Sequence, residues 1–319
     1  MSFYKYTNIN TAVLVLQNSS LRWSSPLLFN DLEECQFTPF TKEQHLKSHE
    51  TYIQVLEGCA RGCLVYNINK FSEITMRLIH VIALSMEKGT YDRKDYANVL
   101  ANISGNPESD YRDFMNTALI RCFRVLCVTE KYDNSLMWAH YADQHYGCVF
   151  ELEDLYDKEP RLLRKGYVRY HENVEPRSNP LDMLLYGETD EVRDLMIRDV
   201  AFSKRTFWSY EQEYRFMFSE TFGEITTKID MQNNTKDIIV NKQSDQLFTD
   251  VNFSKKSLKS IIFGVRCMSK DIQKIVDILE NSDYQCDLYQ MKMRDGCLFK
   301  EELSLQNFQI SVEAVQKQT

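Results

Sequence analysis

A chain of 319 residues with 43% hydrophobic and 12% aromatic side chains carries enough apolar surface for a packed core, which excludes a disordered or fibrous protein. Its 38 basic and 46 acidic residues leave a net charge of −8, so a broad phosphate-binding surface is not expected and nucleic acid is an unfavoured partner. No apolar run approaches the roughly 18 residues of a membrane helix, MSFYKYTNIN lacks a secretion signal's basic start and apolar stretch, and nine scattered cysteines suit reduced thiols; a cytoplasmic location is expected.

Taken in chain order, FYKY at residues 3–6 reads as a strand, Asn10 to Gln17 as a helix and LRWSS as a second strand, with Pro26 and the pair Asn30 and Asp31 marking a turn. From about Lys42 to Arg124 apolar positions recur at helical spacing, as in Ile74, Leu78, Ile79, Ile82 and Met86, which predicts a mainly helical insertion broken at Gly105, Asn106 and Pro107. The period then changes. VLCVT at 125–129 predicts a strand, SLMWAHYADQHYG a helix stopping at Gly147, and CVFELE another strand. Asp190 to Phe202 predicts a helix, and LKSIIFG, DIQKIVDILE and QCDLYQMKM read as strand, helix and strand. The expected class is a single α+β domain over 1–319, with a mixed sheet and the helical insertion at about 42–124.

WSYEQEYRF at 208–216 reads as a strand, in which alternation places Glu211, Glu213 and Arg215 on one face and Tyr210, Tyr214, Phe216 and Phe218 on the other. The ionic face is either an exposed ion-pair ladder, worth about 0 to 1 kcal/mol per pair, or part of an active site. On the MWAHYADQHYG helix, spacings of three and four place Trp138, Tyr141, Ala142 and His145 on one side, with His140 turned partly away. These histidines suit acid, base or phosphate-binding roles, against the plainer reading of an aromatic face packed on the sheet. Arg22 reads either as a diphosphate ligand or as a surface arginine, and Asn30 either as a turn residue or as part of the cleft that holds Tyr6.

His45 and His49 in HLKSH, with Cys59 and Cys63 in CARGC, have one-turn spacing, but nothing else frames a zinc module and no metal is expected. The chain lacks G-x-S-x-G, P-loop and G-x-G-x-x-G motifs, so serine-hydrolase, P-loop and Rossmann chemistry lack their parts.

FYKY, LRWSSPLLFNDLEE, VLCVTEKYDNSLMWAHYADQHYGCVFEL, and WSYEQEYRF with the later SIIFG together resemble, in that order, a bacterial family known as domain of unknown function 2971. The family usually carries proline and phenylalanine after its Asn-Asp pair; Leu32 and Glu33 stand there in this chain. The layout is also similar, at the level of fold, to ADP-ribosyltransferases, whose split sheet grips NAD. That likeness implies that Glu213 supports the ribosyl cation, that Glu211 orients or deprotonates the acceptor, and that His145 shapes the pocket and shares in catalysis. It further implies that Tyr6, Arg22, Asn30, Trp138, His140, Tyr141 and Arg215 hold NAD as the substrate. The histidine or arginine usual on the first strand is missing, so Tyr6 or Lys5 would have to stand in. The implied setting is a toxin or antiviral-defence effector, with a protein or viral partner. A binding module with a decayed site and a nuclease are the alternatives.

Overall fold

The computed structural model describes residues 1–35, 42–63, 66–103, 120–156, 159–172, 177–187, 189–220, 224–230, 235–241 and 246–303. Gly105, Asn106 and Pro107 lie outside them. Strand β1 (Ser2–Thr7) leads through helix α1 (Ile9–Asn18) to β2 (Ser20–Ser24). Asn8 caps α1, its side chain accepting from the Thr11 amide at 2.8 Å. The insertion holds α2 (Lys42–Ala60), α3 (Glu73–Glu87) and α4 (Arg93–Ile103). The chain then returns through β3 (Phe123–Thr129), α5 (Ser135–Tyr141) and β4 (Cys148–Glu153).

Next come β5 (Arg164–Tyr167), β6 (Arg169–His171), α6 (Pro180–Tyr186), α7 (Asp190–Ala201), β7 (Ser203–Arg205) and β8 (Glu213–Ser219). A separate hairpin follows, β9 (Glu224–Asp230) with β10 (Thr235–Asn241). The chain continues through β11 (Phe248–Asn252), β12 (Leu258–Phe263), α8 (Ser269–Glu280), β13 (Asp287–Arg294) and β14 (Cys297–Glu302). The class is α+β, with a mixed ten-stranded sheet ordered β11-β2-β3-β1-β4-β12-β13-β14 and with β8 and β5 branching from β3. Its parallel pair, β12 with β13, is joined through α8, as a parallel crossover requires.

Alternation along the central strands separates two cores. Cys148, Phe150, Leu152 and Ile261 point to the side covered by α1 and α8, while Val149 and Ile262 pack with Trp138 of α5 on the other. Beside β3 and β8, Ile197 and Ala201 of α7 meet Val125 and Met217. The insertion builds its own cluster, in which Tyr52, Leu56 and Ile82 pack with Leu185 of α6.

The sheet divides at β3. That strand pairs with β8 over its whole length, yet meets β1 only at Tyr4 opposite Thr129 and β2 only at Ser24 opposite Val125. In the gap the Lys5 ammonium, rather than a backbone amide, donates to the Cys127 carbonyl at 2.9 Å.

Two expectations need correction. The helix expected through residue 147 ends at Tyr141, and Asp143, Gln144 and His145 follow with φ of 49°, 53° and 73°. Backbone crowding explains the glycines at 147 and 264. A Cβ on Gly264 would lie 2.0 Å from the His145 carbonyl oxygen, and one on Gly147 would lie 2.2 Å from that of Thr7. The second correction concerns WSYEQEYRF, which is not one strand. Thr206–Glu211 forms a 3-10 turn closed by Gln212 at φ 44°, so β8 begins only at Glu213.

Candidate functional site

A cavity of about 400 Å³ opens where the sheet divides. Tyr4, Lys5 and Tyr6 of β1 line it together with Arg22 of β2, Phe29, Asn30 and Glu34 of the following loop, and Cys127 of β3. His140 and Tyr141 of α5, Lys204 of β7, and Glu211, Glu213 and Arg215 complete the wall. Such a volume falls within the usual range for small-molecule sites, about 300 to 1,000 Å³.

The floor is ionic and closed to solvent. The Arg215 side chain is 0% exposed and donates to both oxygens of Glu213, each at 2.8 Å. It also pairs with Glu34 and donates to the Ala201 carbonyl at 2.6 Å. The Lys204 ammonium lies where three carboxylates converge, 2.7 Å from Glu211, 3.2 Å from Glu34 and 3.6 Å from Glu213. The exposed-ladder alternative is thereby excluded, since these groups are inside the protein.

Burial pushes Glu213 above the usual carboxylate range, with the Lys204 ammonium working against it. Burial pulls Lys204 down, but Glu213 and Glu211 outweigh it and the ammonium is held more firmly than usual. Burial first, then Glu213, drives the Cys127 thiol well up, leaving it a protonated neighbour rather than a nucleophile.

Glu211 reaches the cluster although it is not in strand conformation, because the 3-10 turn and left-handed Gln212 swing its carboxylate back beside Lys204. Tyr141 donates to Glu211 at 2.5 Å, and the Asn30 amide donates to the Tyr141 hydroxyl at 3.3 Å. Burial, then the bond to Glu211, raises Tyr141 well above its ordinary value. A relay of Asn30, Tyr141, Glu211 and Lys204 thus runs from the rim to the floor. The Tyr170 hydroxyl accepts from the Glu213 amide at 2.9 Å and fixes the start of β8.

The sequence-derived candidates separate into three groups. Tyr6, Asn30, His140, Tyr141, Glu211, Glu213 and Arg215 line the cavity. Arg22 stands at its rim, held by Asp250 at 3.0 Å and lying over the Phe248 ring at 3.7 Å. Trp138 and His145 are not among the lining residues. Trp138 is buried behind Tyr6, its indole donating to the Tyr132 carbonyl at 2.7 Å. His145 stacks on Trp138 at 6.2 Å, because the helix break turns it off the face it was expected to share with Tyr141.

The Asn30 and Asp31 segment is both a turn and a wall. Asp31 accepts from the Glu33 amide at 2.9 Å while Asn30 faces the cavity.

Lys204 and Tyr170 carry no motif signal, and Glu34 closes the LRWSSPLLFNDLEE block without being marked out within it. The available clue to Lys204 is its place on a three-residue strand just before the WSYEQEYRF block. Among the described residues, no group of three or more His, Cys, Asp and Glu is placed to hold a metal. No helix there is long and apolar enough to cross a membrane, and all nine cysteines are free thiols.

Residues 137–216 match the family model described as Protein of unknown function (DUF2971). The resemblance expected over most of the chain is shown over this segment, which holds His140, Tyr141, Lys204, Glu211, Glu213 and Arg215 but neither β1 nor β2. No curated protein and no solved structure matches the chain.

Proposed function

We propose that the cavity is the substrate site of an NAD-using enzyme, either an ADP-ribosyltransferase or an NAD glycohydrolase. One observation carries this reading: the carboxylates of Glu211 and Glu213 and the aromatic side chains of β1 and α5 line a single cavity at the division of the sheet. Cleavage breaks the bond between the ribose and the nicotinamide nitrogen. The electron pair leaves with nicotinamide, and a ribosyl cation develops that a fixed carboxylate stabilises.

Glu213 takes that electrostatic role, and Glu211 orients the attacking water or acceptor hydroxyl and receives its proton. Tyr6, Asn30, His140 and Tyr141 hold the nicotinamide ribose, and Arg22 at the rim would exchange Asp250 for the diphosphate. His145 and Trp138 support the wall from behind. Consumption of NAD inside a cell suits a toxin or antiviral-defence effector, whose acceptor or trigger would be a protein.

A second reading, a binding module without turnover, is favoured by the two bonds with which Arg215 already neutralises Glu213. The two readings separate on incubation with NAD. An enzyme releases nicotinamide in amounts exceeding the protein, whereas a binder shows a raised melting temperature and no product.

A further inference from the structure

Glu211 and Glu213 differ in what restrains them. Arg215 bonds both oxygens of Glu213 and pairs with Glu34, and among the described residues the ion pair of Glu211 runs to Lys204 alone. Lys204 is itself held in place: β7 pairs with β6 at Lys204 opposite Tyr170, and the ammonium lies 4.7 Å over the Trp208 ring. Its side chain is 4% exposed, so water does not substitute for it.

We propose that Lys204 is the positioning residue of the carboxylate pair, its ammonium holding Glu211 beside Glu213 and Glu34 against their mutual repulsion. With Arg215 left to face the carboxylates of Glu34, Glu211 and Glu213, these buried acids cannot all stay ionised, and the proton taken up in compensation would remove the charge a ribosyl cation needs. The further groups facing the cluster do not replace this cation. Lys5 on β1 commits its ammonium to the Cys127 carbonyl, and Asp31 adds negative charge near Arg215. The Tyr141 and Tyr170 hydroxyls and the Cys127 and Cys35 thiols, from α5, β6, β3 and the loop after β2, are raised above their ordinary values and stay neutral.

The inference rests on the NAD reading only for its effect on activity; the positional claim is tested without NAD. Melting temperatures of wild type, Lys204→Met, Lys204→Arg and the double variant Lys204→Met with Glu211→Gln are compared from about pH 5 to about pH 8. In the Met variant the carboxylates bind protons more tightly folded than unfolded, so stability returns as pH falls. The expected result is a deficit against wild type that is largest near pH 8 and shrinks toward pH 5, with partial rescue by Arg and recovery in the double variant at neutral pH.

A deficit that does not change with pH, or a double variant no better than the single one, overturns the proposal. If Lys204→Met does not fold at neutral pH, folding of the double variant supports the proposal and its failure overturns it. Where wild type cleaves NAD, the acidic limb of the Met variant's pH profile moves up by about 1 to 3 pH units and Arg restores it. An unmoved limb counts against Lys204. Absence of cleavage by wild type counts against the NAD reading instead, and the melting series still decides the role of Lys204.

Discussion

Arg215 turns back along its own strand onto Glu213, two residues earlier, and donates to both carboxylate oxygens at 2.8 Å with neither group open to solvent. Removing one partner of such a pair leaves the other charge buried, a loss on the order of 3 to 5 kcal/mol. Arg215→Met therefore lowers stability by about that amount, as read from urea unfolding midpoints. A loss below about 1 kcal/mol would mean that the pair reaches water, contrary to the account.

Tyr141→Phe deletes the hydroxyl that donates to Glu211 and accepts from Asn30, while keeping the ring. A hydrogen bond to a charged group is worth about 1.5 to 3 kcal/mol. The expected outcome is a stability loss of that order together with NAD cleavage slowed at least tenfold, measured by equilibrium unfolding and by nicotinamide release. Unchanged turnover would remove Tyr141 from the site.

The regular elements were legible in the sequence, and the geometry joining them was not. The span read as CVFELE is β4, and α1, α7 and α8 fall within a few residues of the helices their periodicity predicts. The breaks at 142–145 and at Gln212 were hidden, because the left-handed residues Asp143, Gln144, His145 and Gln212 are not glycines and so carry no sequence mark of a turn. The candidate site was legible where a short motif held its members together, as with Glu211, Glu213 and Arg215. Lys204 and Glu34 join only through the packing of β7 and of the loop after β2. The faces assigned to His145 and Glu211 came from a regular period continued past a break.

Gly264→Ala puts a methyl group 2.0 Å from the His145 carbonyl oxygen, and the neighbour is backbone, which cannot swing aside. Overpacking of this kind costs about 1 to 3 kcal/mol or more. A melting temperature equal to that of wild type would show that the 142–147 turn yields easily. A clear drop is expected.

Burial, and then the Arg266 guanidinium, lowers the His145 pKa below its ordinary 6.5. The folded protein thus binds this proton less tightly than the unfolded chain. Its contribution to stability is complete above pH 6.5 and is lost as pH falls through the lowered folded value. His145→Gln flattens the fall in melting temperature as pH drops from 6.5 through the lowered folded value; an unchanged pH dependence would place the ring in water.

The role of Glu213 is decided by the nicotinamide released from NAD by purified wild type and by Glu213→Gln, with circular dichroism confirming that both are folded. Wild type is expected to release nicotinamide in amounts far exceeding the protein, and the variant none beyond background. Release that is absent from wild type, alone and with protein acceptors supplied, or that is equal in the two proteins, would contradict it.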